Sequence, residues 1–327
     1  NDLPHGYEAS PHALFPPLAY LLYGLVRLFL PVQGAVGHAA FRANYPSLLL
    51  YSVYVSLLAT AFALCVRRYL HKESTVKATI AALLLMVGNV FVEGLLERGN
   101  SVYVAAVLVL AAFALRDSDK AWKRELALVC LAAAAGLKMY PALLGVFYLK
   151  EKRWKEAARL VVYGVALFAI PFAFCGGMDG FRQFRANQSV IAATVGNTWS
   201  ASYLAQRLLA HVGLTGTLLP TLAAIGLALV CVAAAWRSAK AWQTALLLTS
   251  VMLFWPQANS FYIFAMLLLP LLLFLRDEPV PSVRNVLTAL LLAVIFLPML
   301  ALDYAQSERF SAICLYLLTG WQIIDSV

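Results

Sequence analysis

Charged residues are scarce in this chain, and their scarcity excludes an ordinary soluble domain. Only 13% of the 327 residues are charged and 62% are hydrophobic, whereas soluble domains carry about 25% charged and about 45–50% apolar residues. A core of this size cannot hide so much apolar surface, so part of that surface has to face lipid. A lipid bilayer as partner therefore accounts for the net charge of +9, and no nucleic acid is expected.

Motifs for soluble substrates are missing as well. The sequence contains no Walker loop, no dinucleotide fingerprint, no HExxH and no nucleophile elbow. A soluble nucleotide sugar is therefore not expected as a substrate. The five cysteines are scattered through apolar segments, without the spacing of a metal site or a disulfide set. The sequence thus assigns no metal ligand and no cofactor, and it leaves the need for a divalent metal open.

Long apolar runs predict an all-α fold, a polytopic transmembrane helical bundle, because about 20 apolar residues cross a bilayer as a helix. The candidate spans are residues 45–66, 77–96, 102–115, 157–175, 213–236, 285–302 and 310–324. Two further apolar regions, 125–149 and 242–275, contain proline and predict short broken hairpins. We divide the chain into a first extracytoplasmic loop, 1–44, with an interfacial helix at 16–30, and one transmembrane domain, 45–327.

The basic residues predict the orientation of this bundle. Of the 25 Lys and Arg, 17 fall into clusters near residues 67–77, 116–124, 150–159, 237–240 and 276–284. These clusters share one side if each apolar stretch between them crosses an even number of times, and that side is cytoplasmic by the positive-inside rule. The basic residues outside the clusters are Arg27, Arg42, Arg98, Lys138, Arg182, Arg185, Arg207 and Arg309. They need another explanation, either an anionic substrate or outer-leaflet phosphate.

Lys138 is the first candidate for chemistry. It follows Gly136-Leu137 in a broken hairpin, at a depth where a lysine costs about 2.5–3.5 kcal/mol. Either it meets an anion such as a lipid-linked phosphate, or it is a snorkelling lysine at a helix end. The second hairpin has a similar polar break, which contains Asn259. Two such breaks at depth predict an outward-opening polar cavity.

Two carboxylates form the next candidate. Glu93 and Glu97 are four residues apart and share one helix face, and Glu93 stands in an otherwise apolar run. A desolvated carboxylate can act as a general base. Alternatively, Glu97 and Arg98 are a rim ion pair and Glu93 is structural. The outer segment 181–200, with Arg182, Arg185, Asn187 and Gln188, suits sugar or phosphate recognition and also any wet loop over anionic lipid.

Four stretches together resemble glycosyltransferase family 87, membrane enzymes of the GT-C class, over about residues 10–275. They are Phe15-Pro16-Pro17-Leu18, Glu97-Arg98-Gly99-Asn100, the run Ala135 to Leu144 with its Lys138-Met139-Tyr140-Pro141 core and the basic cluster after it, and Asn187-Gln188-Ser189. The resemblance implies a GT-C bundle of about 9–11 membrane helices. It also implies transfer of a mannosyl or arabinofuranosyl unit, with mannose favoured, from a polyprenyl-phosphate sugar to a glycan or glycolipid acceptor, outside the plasma membrane.

The resemblance also implies roles for individual residues. Lys138 would hold the donor phosphate, assisted by Arg98, Arg182 or Arg185. Asn100, Tyr140, Asn187, Gln188 and Asn259 would contact the sugar or the acceptor. The catalytic carboxylate would be Asp2, Glu97 or Glu93. One departure is that the family's aspartate before Pro-Pro-Leu has only Asp2 and Glu8 as counterparts here, so we expect a further helix upstream of Asn1 to carry it.

Two other functions stay open at this point. A transporter or flippase of a lipid-linked saccharide would also explain the broken helices and Lys138, although it predicts two similar halves and the sequence shows no convincing repeat. A non-catalytic membrane scaffold would not need charged residues at depth.

Overall fold

Every regular element in the described part of the chain is a helix. The computed structural model describes residues 7, 14–27, 45–71, 73–88, 91–97, 99–194, 199–255, 261–278, 282–296 and 304–326. The α-helices are α1 (Pro17–Arg27), α2 (Tyr45–Tyr69), α3 (Thr75–Met86), α4 (Ser101–Leu115), α5 (Ala121–Leu137), α6 (Val146–Lys150), α7 (Trp154–Ala169), α8 (Gly177–Thr194), α9 (Ala201–His211), α10 (Leu218–Arg237), α11 (Ala241–Phe254), α12 (Leu268–Asp277), α13 (Val283–Phe296) and α14 (Tyr304–Asp325). The all-α prediction is confirmed.

The bundle exposes apolar side chains along its longest helices, as a protein in lipid does. On α2, Leu49, Leu57 and Leu64 are 67%, 66% and 60% exposed, and their spacing places them on one face. Within the described part of the chain, three helical stretches are long and apolar enough to cross a membrane: α2, Trp154–Phe174 and α10. The composition, the helices and the exposed apolar faces agree on a membrane protein.

The central helices α4, α5 and α11 form the core. α4 and α5 are an antiparallel hairpin, and α11 packs against the broken turn that follows α5. Almost every residue of α11 is buried. Small residues allow this close packing, since a run of four alanines leads to Gly136 at the end of α5. A Cβ at Gly136 would lie 2.8 Å from Leu18 Cδ2, so the glycine lets α1 rest directly on α5.

Both predicted broken hairpins are present and have the same order of elements. After α5, a 3-10 helix covers Tyr140–Gly145 and leads into α6. After α11, a 3-10 helix covers Phe261–Leu267 and leads into α12. The prolines explain the first interruption, because Pro141 has no N–H to continue the hydrogen bonding of α5.

The predicted span 77–96 is wrong as a continuous helix. α3 ends at Met86, and a π-helix covers Val92–Glu97. The break lies around Gly88, whose N–H donates to the Leu85 carbonyl (3.3 Å) and whose carbonyl accepts from the Val92 N–H (3.1 Å). The chain can bend here because these backbone groups stay hydrogen-bonded.

Two regions between the predicted spans are also helical. The region between the predicted spans 157–175 and 213–236 contains α8 and α9, and α9 begins after Ser200, whose hydroxyl accepts from the Tyr203 N–H. Most of the short region between the predicted spans 285–302 and 310–324 lies in α14, which begins at Tyr304. Apolar runs do not reveal these helices, because a helix can be polar wherever it leaves the core. The predicted interfacial helix 16–30 is helical over the described residues of α1, Pro17–Arg27, residues 28–30 lie outside the described part, and its position at the membrane surface stays a prediction.

The five basic clusters lie at one end of the bundle, hereafter the basic end. The Lys150 ammonium donates to the Ala235 carbonyl, and Arg116 pairs with Glu151, joining the ends of α4, α6 and α10. The remaining cross-links at this end are Arg153 with Asp117, Lys240 with Glu278, Arg284 with Asp325, and the Tyr69 hydroxyl with the Leu110 carbonyl. The predicted grouping of the basic clusters on one side is therefore confirmed.

Candidate functional site

Lys138 lies at the other end of the bundle and is buried. α5 begins at the basic end, and its 17 residues extend about 25 Å at 1.5 Å per residue, most of a hydrocarbon core of about 30 Å. Lys138 terminates this helix in extended backbone conformation, and only 8% of the residue is exposed. Its ammonium group is therefore held away from solvent near the far end of the bundle.

Two aromatic rings surround the Lys138 ammonium. Its Nζ lies 3.7 Å from the centroid of the Phe15 ring and 5.9 Å from that of Tyr262. The described side chains place no carboxylate beside it. Ring faces attract a cation, but they supply much less than a full negative charge. A buried cation with no carboxylate among its described neighbours suits an anionic ligand, because pairing with an anion offsets part of its desolvation cost.

Tyr140, two residues after Lys138, has a hydroxyl group without a described partner. It is the first residue of the 3-10 helix, and its hydroxyl is buried with no hydrogen-bond partner among the described residues. Buried hydroxyl groups are nearly always hydrogen-bonded in a complete structure. A polar ligand atom would satisfy it, so Tyr140 supports a ligand site at this turn.

The start of α1 supplies the aromatic cover of Lys138. Pro16 and Pro17 lead into the helix, and proline suits a first helical position because its missing N–H would have no partner there. Phe15 stands just before them, over the lysine, and Leu18 one turn later packs on Gly136. α1 thus packs against the C-terminal end of α5, next to Lys138.

Three tyrosines bind the backbone of the turn that joins the π-helix to α4. The Tyr51 hydroxyl lies 2.6 Å from the Leu95 carbonyl, and the Tyr54 and Tyr23 hydroxyls lie 3.4 and 3.2 Å from the Gly99 carbonyl. π-helices are often found at functional sites. This one carries Glu93 and Glu97 in its backbone, and the structure does not describe the side chains of either residue.

Asn100 caps the helix that follows this turn. Its side-chain oxygen accepts from the Val102 N–H at 3.0 Å, while the Tyr23 hydroxyl accepts from the Ser101 N–H at 2.8 Å. The two bonds satisfy N–H groups that the start of any helix leaves free. Tyr23 and Phe15 are eight residues apart, or about 12 Å along a helix. One short helix therefore contacts both the Lys138 turn and the Asn100 turn.

Asn187 and Gln188 lie on α8 and contact the segment before α1. The Asn187 amide donates to the Tyr7 carbonyl at 3.0 Å, and the Gln188 amide donates to the Leu14 carbonyl at 2.6 Å. Arg182 and Arg185 are on the same helix but exposed, and Arg182 pairs with Asp179 at 2.8 Å. The two amides thus contact the segment that carries Phe15, the residue over Lys138. The two guanidinium groups are exposed on α8 and do not interact with Lys138.

Several predicted site residues lie outside what the structure describes. These are Asp2, Arg98 and Asn259, together with the side chains of Glu93 and Glu97. Within the described residues, no group of three His, Cys, Asp or Glu side chains could hold a metal ion.

Sequence reasoning missed the aromatic residues of the site. Phe15 was noted only as part of the Pro-Pro-Leu element, and Tyr23, Tyr51 and Tyr262 were given no role. A signal was available in α2, where Tyr51 and Tyr54 are three residues apart and share a face, next to the polar turn of the following hairpin. For Tyr262 there was no comparable signal, because only the fold brings it to Lys138.

Comparison with known proteins adds one finding. The model of glycosyltransferase family 87 matches residues 14–258, a range that contains Phe15, Lys138, Tyr140 and both amides of α8. No curated protein and no solved structure matches the chain.

Proposed function

Because the chain belongs to glycosyltransferase family 87 and is therefore a membrane glycosyltransferase, we propose that it transfers a hexosyl or pentosyl unit from a polyprenyl-phosphate sugar to a glycan or glycolipid acceptor. Mannose is the favoured sugar. The reaction takes place at the end of the bundle opposite the basic end, which faces outward from the plasma membrane. The proposal draws on the family for the chemistry and on the Lys138 site for the donor.

The buried Lys138 ammonium is the observation that carries the proposal. It is 8% exposed and lies against two aromatic rings, and no carboxylate among the described side chains lies beside it. A polyprenyl-phosphate donor brings its anion on a lipid tail and can reach such a site from the membrane. The neighbouring Tyr140 hydroxyl, which is buried and lacks a described partner, offers a hydrogen bond to the phosphate or the sugar.

The transfer breaks the bond between the anomeric carbon and the phosphate oxygen and forms a bond to the acceptor oxygen. A carboxylate takes the proton of the acceptor hydroxyl, and the phosphate leaves with the electron pair of the broken bond, its charge offset by Lys138. Asp2, Glu97 and Glu93 are the candidates for this base. The tyrosines that bind the 95–101 turn support Glu97, because they fix the backbone that carries it.

The distribution of charge supports the outward orientation. The arginine and lysine clusters of the basic end are the ones that the positive-inside rule assigns to the cytoplasm. Lys138 lies about 25 Å away along α5, near the opposite face. Arg182 and Arg185 on α8 remain candidates for an auxiliary contact with the donor phosphate, and Asn100 for a contact with the acceptor.

The test measures transfer in membranes that contain the full-length protein. Radiolabelled polyprenyl-phosphate mannose is supplied, and label is followed into new lipid or glycan, with Lys138→Met beside the wild type. A hydrogen bond to a charged group contributes about 1.5–3 kcal/mol, so kcat/KM for the donor should fall about 10- to 100-fold.

Lys120→Met is the matched control, since Lys120 is an exposed lysine at the other end of the same helix and its loss should leave the rate unchanged. Equal rates for Lys138→Met and Lys120→Met would refute the phosphate role. Absence of transfer from mannosyl and arabinosyl donors, with labelled donor crossing the bilayer intact, would replace the transferase by a transporter.

A further inference from the structure

Three hydrogen bonds hold the backbone of the segment that precedes α1. The Asn187 amide reaches the Tyr7 carbonyl and the Gln188 amide reaches the Leu14 carbonyl. The Tyr7 hydroxyl in turn donates to the Phe15 carbonyl at 2.7 Å. Two consecutive residues, Leu14 and Phe15, therefore have their carbonyl groups fixed from α8, one directly and one through Tyr7.

The amide groups of Asn187 and Gln188 bind protein atoms. Asn187 is 1% exposed, and its side-chain oxygen also accepts from the Gln183 amide at 3.1 Å. Both polar atoms of the Asn187 side chain thus bind protein. For Gln188 the bond to Leu14 is the shorter of the two that the amides make to the segment. A sugar would have to compete with these bonds or use the remaining hydrogen or lone pair of each amide group.

Tyr7 is a rigid intermediate in this arrangement. Its ring lies edge-on to Tyr20 and Phe184, with centroids 5.3 and 5.6 Å away, and stacks on Phe172 at 6.0 Å. Aromatic contacts of this geometry each add about 0.5–1.5 kcal/mol beyond the area they bury. Because Tyr20 belongs to α1 and Phe184 to α8, the ring joins the two helices that bracket the segment.

The Phe15 ring is the end point of these contacts, and it lies 3.7 Å from the Lys138 ammonium. Holding the carbonyl groups on both sides of the Phe15 peptide nitrogen and Cα restricts the direction of its side chain. We propose that Asn187 and Gln188 are positioning residues that hold Phe15 over Lys138 and so set the access and affinity of this site for an anion. The link to the sugar donor rests on the proposed function; the cover of Lys138 by Phe15 does not.

The first experiment reads Lys138 directly. The full-length protein in detergent is treated briefly with a small amine-reactive reagent, and the modified fraction of Lys138 is measured by mass spectrometry for wild type, Gln188→Leu and Phe15→Leu. Loss of one hydrogen bond shifts an equilibrium by about 2- to 10-fold, so labelling of Lys138 should rise by that factor in Gln188→Leu and at least as much in Phe15→Leu, which lacks the covering ring.

The double variant Phe15→Leu with Gln188→Leu decides whether the amide acts through the ring. If it does, the double variant is labelled no faster than Phe15→Leu alone, because the cover is already gone. Multiplied effects in the double variant, or unchanged labelling in Gln188→Leu, would overturn the proposal. Asn187→Asp supplies a second case with nearly the same side-chain volume, in which the donor to Tyr7 is lost.

Ser189→Ala is the control for these variants. Ser189 is the next residue on α8, is exposed, and donates only to the Arg185 carbonyl of its own helix, so labelling should stay at the wild-type level. Melting temperatures of all variants identify any that fail to fold.

Transfer assays then separate the two proposals. Gln188→Leu should raise the KM for the donor by about 2- to 10-fold with kcat nearly unchanged, since a general loss of structure would lower kcat. Coupled labelling without any transfer would uphold the positioning role and defeat the proposed donor. Transfer with uncoupled labelling would do the reverse.

Discussion

Tyr23→Phe is the substitution whose effect the structure specifies most closely. The hydroxyl accepts from the Ser101 N–H at 2.8 Å and lies 3.2 Å from the Gly99 carbonyl. Ser101 is fully buried and is the first residue of α4, where a backbone N–H has no partner within the helix. Removing the hydroxyl therefore leaves a buried donor without a partner, and in lipid no water replaces it.

The two lost bonds do not weigh equally. An orphaned buried donor costs about 1–3 kcal/mol, and this cost falls on Ser101. The Gly99 carbonyl keeps the Tyr54 hydroxyl at 3.4 Å, so its loss adds little. We expect Tyr23→Phe to lower the free energy of unfolding by about 1–3 kcal/mol. In Tyr54→Phe only a long bond to a carbonyl with another partner is lost, and about 0.5 kcal/mol or less is expected.

The assay is reversible unfolding in mixed micelles, with helicity followed by circular dichroism as denaturing detergent is added, for the wild type and both phenylalanine variants. The phenyl ring is kept in each, so packing is matched. Equal destabilisation by Tyr23→Phe and Tyr54→Phe would refute the view that Tyr23 caps α4. Donor transfer is measured in parallel, and it should fall further in Tyr23→Phe than in Tyr54→Phe, because α1 contacts both turns of the site.

Two further substitutions test the packing around the site and at the basic end. Gly136→Val places methyl groups where Leu18 now lies, so overpacking should lower the free energy of unfolding by about 1–3 kcal/mol and reduce transfer. Gly226→Val is the control, because a Cβ at Gly226 has open space around it, and it should change neither the stability nor the rate of transfer. Lys150→Met removes an ammonium that donates to three oxygen atoms at the turn between α10 and α11. The free energy of unfolding should fall by about 2–4 kcal/mol. In the same detergent titration, Lys155→Met, which replaces an exposed lysine, should change the stability little.

The helices could be predicted wherever local sequence decides them. The predicted span 102–115 matches α4 almost residue for residue, because Asn100 caps one end and charged residues follow the other. Proline marked the first broken hairpin for the same reason. The interruption within 77–96 could not be predicted, because it depends on backbone hydrogen bonds around Gly88. Hydropathy contains no information about these bonds.

Of the residues around the site, Lys138 could be predicted from its chemistry and Tyr140 from the resemblance. Lys138 is conspicuous because an apolar segment makes a lysine expensive, and it is buried as expected. Its partner Phe15 is an ordinary aromatic residue more than a hundred positions earlier, and only the seating of α1 on Gly136 brings the two together. Asn187 and Gln188 were singled out by residue type, but the sequence could not show that their amide groups bind backbone.

The ion pairs of the basic end bear on how the chain enters the membrane. Arg116 directly follows α4 and pairs with Glu151, and Arg153 directly precedes α7 and pairs with Asp117. Orientation during insertion responds to arginine and lysine and hardly to acidic residues. A loop can thus carry its full set of basic residues while the chain is being inserted, although some of these residues are paired with carboxylates once the chain has folded. The carboxylates do not change the direction of insertion. In the folded chain they form ion pairs that link the end of α4 to the turn between α6 and α7.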